Sequence, residues 1–131
     1  MTNEQNDIIK FLKDNPLTEN KEVLLDFIKN NDELYSRNNL FGHITASAFI
    51  VDEKMDKALL ILHKKYNKWL SPGGHVDDGE NGKQASIRET QEETGLNQLK
   101  LLSENIFDID IHRIPESNKN GKIEPAHWHF D

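Results

Sequence analysis

The chain has 131 residues, the size of one ordinary domain, and its 16 Lys and Arg against 23 Asp and Glu give a net charge of -7. This acidic balance argues against a general nucleic-acid binder and against attachment to anionic membranes. No apolar run reaches the roughly 18–20 residues of a membrane span, and the first residues lack the basic start and apolar stretch of a signal peptide. Because cysteine is absent, disulfides and a cysteine nucleophile are excluded. We therefore expect a soluble, cytoplasmic protein.

Two helices are predicted at the N-terminus. Thr2 and Gln5 have the spacing of a capping box, and apolar residues follow at helical spacing until Pro16 ends the helix. A second helix is predicted over residues 18–30, because apolar residues recur on one side. We interpret residues 1–38 as a helical extension and residues 39–131 as the main domain.

After residue 43 the apolar pattern changes to that of strands. Residues 44–51 and 58–63 are rich in apolar and β-branched residues and predict two strands, buried on most of their surface. Residues 107–112 alternate between apolar and polar and predict a half-buried strand. Residues 81–94 lack proline and are followed by Gly95, a residue suited to a left-handed cap, so they predict a helix. This order of elements predicts an α/β (α+β) fold.

Three glutamates on the predicted helix are the first candidates for chemistry. Glu89, Glu92 and Glu93 are spaced i, i+3 and i+4, which places them within roughly 100° of arc on one helix face. In a cleft, two carboxylates about 5 Å apart repel by roughly 3 kcal/mol at an effective dielectric of 20, so the cluster would need protons or a cation. Carboxylate oxygens suit Mg²⁺, Mn²⁺ or Ca²⁺, and such a cation supports phosphoryl chemistry. On the glutamates alone, a solvated acidic face is the commoner explanation.

The surrounding sequence favours the functional explanation. From Gly74 the chain fits the pattern G-x5-E-x7-R-E-U-x-E-E-x-G-U, in which U is a bulky apolar residue. The matching positions are Gly74, Glu80, Arg88, Glu89, Glu92, Glu93, Gly95 and Leu96. The one departure is Thr90 at the first U position. This pattern is the Nudix box, and because every charged position matches, the chain resembles a Nudix hydrolase over about residues 40–131.

The resemblance implies a fold and an activity. The implied fold is a Nudix-like α/β/α sandwich with a mixed sheet, to which the N-terminal helical extension is added. The implied enzyme is a Nudix-type pyrophosphohydrolase that cleaves a diphosphate linkage in a nucleoside diphosphate derivative with Mg²⁺ or Mn²⁺ as cofactor.

The resemblance also implies roles for individual residues of the box. The metal ligands are Glu89, Glu92, Glu93 and the backbone carbonyl of Gly73, with Glu89 also a candidate for the general base. Arg88 and Glu80 pair to hold the loop against the helix, a supporting role beside the metal ligands.

Residues before and within the box are candidates for substrate binding. Lys64 and Lys65 lie in a basic stretch that would attract a polyphosphate, although a solvated hairpin turn has the same composition. Trp69 could stack on a base, although a tryptophan at a strand end often anchors the core. His75 lies in the box loop and can reach phosphate or metal.

The last residues form a further polar pattern. His127, His129 and Asp131 alternate and would share one face of a strand. Two histidines at i, i+2 can bind zinc, but the sequence offers no third and fourth ligand, so we favour a polar face lining the pocket or hydrogen-bonded core histidines. In the family that the chain resembles, this strand continues and a helix follows, so we expect a C-terminally truncated fragment of a longer protein.

Alternatives to a catalytic role stay open. A Nudix-fold module can bind a nucleotide or sugar nucleotide as a regulatory sensor without hydrolysing it, although the intact charged positions of the box favour the enzyme. The N-terminal helices could be a docking or dimerisation element, so a homodimer is an expected partner beside a small nucleotide-type substrate. The sequence does not name the group attached to the diphosphate.

Overall fold

The computed structural model describes all residues from Met1 to Asp131, and it has three helices and ten strands. The helices are α1 (Asn3–Asp14), α2 (Lys21–Asn30) and α3 (Gly82–Thr94). The strands are β1 (Gly42–Ser47), β2 (Ile50–Val51), β3 (Ala58–Leu59), β4 (Ile61–His63), β5 (Lys68–Leu70), β6 (Gly73–His75), β7 (Ile111–Ile114), β8 (Ser117–Lys119), β9 (Lys122–Glu124) and β10 (His127–Phe130). None of the helices combines the length and apolar character that a membrane crossing requires.

The chain forms two compact units, one of residues 1–45 with 103–131 and the other of residues 46–102. In the first unit, β10 lies between β1, to which it is parallel, and β7, to which it is antiparallel. The predicted α/β (α+β) class with a mixed sheet is therefore confirmed.

One face of this sheet and the first two helices share a hydrophobic core. The core side chains are Ile8, Leu12, Leu24, Phe27, Ile28, Leu34, Ile44, Ile109, Ile111 and Phe130. At its centre the rings of Phe27 and Phe130 stack with their centroids 4.8 Å apart. Helices α1 and α2 therefore pack on the sheet, while the domain boundary placed at residue 38 stays a prediction.

The two N-terminal helices agree closely with their prediction from the sequence, with one correction. The capping box of α1 is present. The backbone amide of Gln5 donates to the Thr2 hydroxyl at 3.1 Å, and the backbone amide of Thr2 donates to the side-chain oxygen of Gln5 at 2.8 Å. Helix α2, in contrast, begins at Lys21 and not at residue 18. The preceding Asn20 has a left-handed backbone (φ 62°), and the Thr18 hydroxyl donates to the Asn15 carbonyl, so the first predicted turn is not helical.

The two segments predicted as strands after residue 43 are each divided into shorter strands. Residues 44–51 divide into β1 and β2, and residues 58–63 divide into β3 and β4. The prediction of burial on most of the surface is wrong for residues 58–63, because Leu60 and Leu62 are 44% and 47% exposed, whereas Ile44 and Ala46 of β1 are buried. Strands β2 and β3, like β4 and β5, pair as two-stranded ribbons, and a ribbon of two strands leaves much of its side-chain surface accessible.

The alternating segment 107–112 also needs a correction. A regular strand begins only at Ile111, and Phe107 is 74% exposed. The burial that the alternation predicts is confirmed at the end of the segment, where Ile109 and Ile111 are buried. Asp110 exchanges two backbone hydrogen bonds of 2.9 Å with Asp131, which continues the pairing of β7 with β10.

Helix α3 confirms its prediction from both ends. Asn81 and Gln84 form a capping box at its start, and Gly95 has φ 74° at its end, where its amide donates to the Gln91 carbonyl.

Thr90, the departure from the box pattern, is buried, and its hydroxyl donates to the Ser86 carbonyl at 2.7 Å. The hydroxyl is thus satisfied within the helix, and the residue packs as a bulky apolar side chain would.

Tyr35 connects the segment after α2 to α1. Its hydroxyl donates to the carboxylate of Glu4, and burial, followed by this hydrogen bond, raises the pKa of Tyr35. Because the folded pKa lies above the unfolded value of about 10, the resulting stabilisation is complete below about pH 10 and is lost as the pH rises above it.

We predict that Tyr35→Phe lowers the free energy of unfolding by about 1–2 kcal/mol at pH 7, since it removes a hydrogen bond to a charged group. The loss of stability above about pH 10 should also be shallower in the variant. Urea unfolding followed by circular dichroism over a pH series measures both effects. Tyr66→Phe, at a ring that is 42% exposed, is the matched control, and equal behaviour of the two variants would contradict the assignment.

Candidate active site

Two adjacent glycines of β6 shape the candidate site in the second unit. A Cβ on Gly73 would lie 2.6 Å from the carbonyl oxygen of Ala46 and 2.8 Å from the Cα of Ser47, so only glycine fits against this backbone. A Cβ on Gly74 would lie 2.6 Å from Oε1 of Glu89. Strand β6 therefore approaches the Glu89 carboxylate of α3 closely because it carries no side chain at this point.

The Arg88 guanidinium joins β6 and the following loop to α3. Its Nε and one terminal nitrogen donate to the two carboxylate oxygens of Glu80 at 2.8 and 2.9 Å. The same terminal nitrogen donates to the His75 carbonyl at 2.9 Å. The other terminal nitrogen contacts Glu89 at 3.1 Å and Glu92 at 3.2 Å. One planar cation thus fixes three carboxylates and a strand carbonyl.

The loop is closed around the Arg88–Glu80 pair. Glu80 also accepts a hydrogen bond of 2.9 Å from the Asp77 amide, and the Asp77 carboxylate lies 3.4 Å from Arg88. The hydrogen bond from Arg88, and then that from the Asp77 amide, lower the pKa of Glu80. Glu80 in turn is the main cause that raises the pKa of Arg88. Both groups are therefore charged at neutral pH. The Arg88 side chain is only 26% exposed, and the Glu80 side chain is 19% exposed.

Glu89 and Glu93 bring two carboxyl groups into contact. The Glu89 side chain is 17% exposed, and the Glu93 carboxyl lies within hydrogen-bonding reach of it. Partial burial, and then the hydrogen bond with Glu89, raise the pKa of Glu93, while the Gly73 amide lowers it. Glu92 is more exposed, at 59%, and raises the pKa of Glu93 to a smaller extent.

This donor set fits a divalent cation with oxygen ligands. Two carboxyl groups in contact require a proton or a cation between them, and a hard dication such as Mg²⁺ or Mn²⁺ takes carboxylate and carbonyl oxygens. The Gly73 amide already contacts Glu93, so the Gly73 backbone lies beside the cluster. The assignment of Glu89, Glu92, Glu93 and the Gly73 carbonyl as metal ligands stays a prediction.

Comparison with known proteins decides the family. The model of the NUDIX domain matches residues 42–129 of the chain. The chain belongs to the Nudix family. The recognition made from the box between Gly74 and Leu96 is confirmed.

Several proteins are similar to this Nudix chain. A probable DHNTP pyrophosphohydrolase of Lactococcus lactis is 33% identical over 129 residues, which cover 95% of this chain and 74% of that protein. A putative 8-oxo-dGTP diphosphatase of Bacillus subtilis is 44% identical over 54 residues, 40% of this chain and 36% of that protein. The solved structure of C. elegans Ap4A hydrolase has a TM-score of 0.37 and 26% identity, covering 66% of this chain and 64% of that chain.

The candidate substrate-binding residues of the Nudix chain lie in two places. Lys64 and Lys65 are exposed in the turn of the β4–β5 hairpin, and the Lys65 ammonium lies 5.3 Å from the centre of the Tyr66 ring. Trp69 in β5 is 65% exposed, so it does not anchor the core. His75 ends β6, where Arg88 holds its carbonyl. A contact of these residues with substrate stays a prediction.

Some residues of the polar clusters were not predicted from the sequence. Asp77 is a further carboxylate at Arg88, and its place in the box loop, three residues before Glu80, was the available signal. In the first unit, His43 and His112 lie beside His129 on neighbouring strands. No local pattern indicates these two histidines, since only the strand register places them there.

The two glycines give contrasting predictions. Gly74→Ala should displace the Glu89 carboxylate and lower Mn²⁺ affinity at least about tenfold, with little change in stability, because only the end of a flexible side chain must move. Gly73→Ala should instead cost about 1–3 kcal/mol of unfolding free energy, because backbone atoms must shift. Electron paramagnetic resonance of free Mn²⁺ and urea unfolding measure the two effects. Unchanged Mn²⁺ affinity in Gly74→Ala would show that Glu89 does not bind the ion.

The Arg88 network predicts the protection of a single amide. In Arg88→Lys the ammonium cannot donate to both Glu80 oxygens and the His75 carbonyl together. We therefore expect hydrogen exchange at the Asp77 amide to quicken by about tenfold or more, with the circular dichroism spectrum unchanged. Arg113→Lys is the matched control, since Arg113 lies over the Trp128 ring. Equal Asp77 exchange in wild type and Arg88→Lys would refute the role of the guanidinium.

Proposed function

We propose that the chain hydrolyses a diphosphate linkage in a nucleoside diphosphate derivative at a divalent cation held by Glu89, Glu92 and Glu93. The reaction class follows from Nudix membership and from relatives named as a pyrophosphohydrolase and a diphosphatase. The chain is thus a Nudix-type pyrophosphohydrolase for nucleotide-type substrates. The observation that carries the assignment of the site is the Arg88 guanidinium, which pairs with Glu80 and donates to Glu89 and Glu92 of α3.

Nudix hydrolases use divalent cations, and we assign Mg²⁺ or Mn²⁺ here because the candidate ligands are oxygens. When bound, such a cation neutralises the negative charge that develops on the diphosphate and makes a bound water more acidic. The Gly73 carbonyl and the three glutamates are the groups of this chain that would hold it.

Glu89 is the residue to which we assign the proton transfer. Arg88 donates to Oε1 of Glu89, which holds the carboxylate in place to accept a proton from the attacking water. Arg88 and Glu80 are positioning residues in this account, since they orient Glu89 and do not touch the reacting atoms. Glu80 matters because its two hydrogen bonds restrain the guanidinium to one orientation.

Substrate capture is assigned to the β4–β5 hairpin and to His75. Lys64 and Lys65 are cations on a chain of net charge -7, so they provide local attraction for a polyphosphate. The exposed Trp69 ring can stack on a base or another ring. We assign His75, the last residue of β6, to contact with phosphate.

We predict that Glu89→Gln lowers turnover at least about 10²-fold, because the amide keeps the shape of the side chain but cannot accept a proton. The assay uses oxidised nucleotides, dinucleoside polyphosphates and sugar nucleotides with Mg²⁺ or Mn²⁺, and it measures released phosphate or mononucleotide. Glu53→Gln, at an exposed loop position, is the matched control.

Two results of this assay would count against the proposal. Full turnover in Glu89→Gln would remove Glu89 from the mechanism. Hydrolysis that persists unchanged in excess EDTA would remove the cation.

A further inference from the structure

Four histidines of the first unit lie on one face of its sheet. The register pairs His129 of β10 with His43 of β1 on one side and with His112 of β7 on the other. His127 precedes His129 by two residues and therefore shares its face. We call these four residues the histidine face. The residues of opposite parity, among them Phe130, point into the hydrophobic core with α1 and α2.

Two nitrogens of this face have the spacing of a metal chelate. Nε2 of His127 lies 3.2 Å from Nε2 of His129. A metal ion about 2.0–2.1 Å from each nitrogen, at a tetrahedral angle, holds the two nitrogens about 3.3–3.4 Å apart. The rings therefore need to move by no more than about 0.2 Å to take up an ion, a tolerance expected of a preformed site.

The protonation of His127 suits metal binding. Its Nδ1 lies 2.9 Å from the carbonyl oxygen of Pro125. Because a carbonyl only accepts hydrogen bonds, Nδ1 carries the proton, and the lone pair at Nε2 accepts the hydrogen bond from Nε2 of His129, whose proton a bound metal ion would displace. This is how metal-ligating histidines are usually oriented, with the second nitrogen donating to a carbonyl. Oε1 of Glu124 lies 3.9 Å from the same Nε2 and offers negative charge near a bound cation.

The neighbouring rings complete a nitrogen-rich environment. His43 is 3% exposed and His127 is 7% exposed, and the His43 ring centre lies 5.3 Å from that of His127 and 4.7 Å from that of His129. His112 lies 5.8 Å from His129, and its Nδ1 contacts the Asp110 carboxylate at 2.8 Å. His43 is thus the imidazole that lies beside the pair, whereas His112 already faces a carboxylate.

We propose that His127 and His129 chelate a divalent transition-metal ion, Zn²⁺ in the first instance, through their Nε2 atoms. Imidazole nitrogen favours Zn²⁺, Ni²⁺ and Cu²⁺ over Mg²⁺, which takes oxygen ligands. This site therefore differs in chemistry from the carboxylate cluster, and it does not depend on the proposed hydrolysis.

The test is metal binding by the full chain after treatment with EDTA. Calorimetry with Zn²⁺ should show one site in the micromolar range, and Co²⁺ should give the intense visible absorption of a tetrahedral complex. His127→Ala and His129→Ala should each weaken Zn²⁺ binding at least about tenfold, about 1.4 kcal/mol. His63→Ala, at an exposed hairpin histidine, is the matched control and should bind as wild type.

Two further measurements keep the test independent of folding and of the other site. Electron paramagnetic resonance of Cu²⁺ on the unmodified chain should show nitrogen ligands, whatever the variants do. Glu89→Gln combined with Glu93→Gln should lose Mn²⁺ binding and keep Zn²⁺ binding.

Three results would overturn the assignment. They are a Cu²⁺ signal without nitrogen coupling, equal Zn²⁺ loss in His63→Ala and His129→Ala, and Zn²⁺ loss in the glutamate double variant. Any of these would leave His127 and His129 as a hydrogen-bonded pair only.

Discussion

The Arg88 guanidinium is the constraint on which the candidate active site depends. A single rigid cation meets Glu80 in the loop, the His75 carbonyl at the end of β6, and Glu89 and Glu92 on α3. Because its five donors lie in one plane, fixing two of these partners largely fixes the directions of the others. The orientation of the Glu89 carboxylate is therefore a property of the whole loop and not of α3 alone.

The site brings side chains of like charge close together, and this arrangement serves function more than stability. The carboxyl groups of Glu89 and Glu93 lie within hydrogen-bonding reach of each other, and Glu92 adds repulsion. Arg88 is the cation that compensates this negative charge within the second unit. The two glycines of β6 increase this crowding, since they allow a strand to approach the Glu89 carboxylate. Such an arrangement violates the rules that favour a stable surface helix, and violations of this kind are typical of sites that bind ions or substrate.

The sequence predicted best what short-range chemistry decides. The capping boxes at Thr2 and Asn81 and the left-handed Gly95 fixed α1 and α3 nearly to the residue. The start of α2 was missed because it depends on the backbone of Asn20, a residue that does not cap the helix with its side chain. The breaks in the predicted strands were missed because they reflect how short hairpin strands pair with each other, which periodicity does not reveal.

The same distinction applies to the sites. The glutamate cluster and Arg88 are close in the chain, so a motif contains them. The histidine face joins residue 43 to residues 112 and 129 by strand register, so no motif could contain it. The ring of Phe27 likewise meets that of Phe130, from which residues 28–129 separate it in the sequence. Closing a loop of that length costs about 3–4 kcal/mol of chain entropy before any core contact forms. The core of the first unit therefore depends on contacts of long sequence separation, while α3 and the hairpins depend on local contacts.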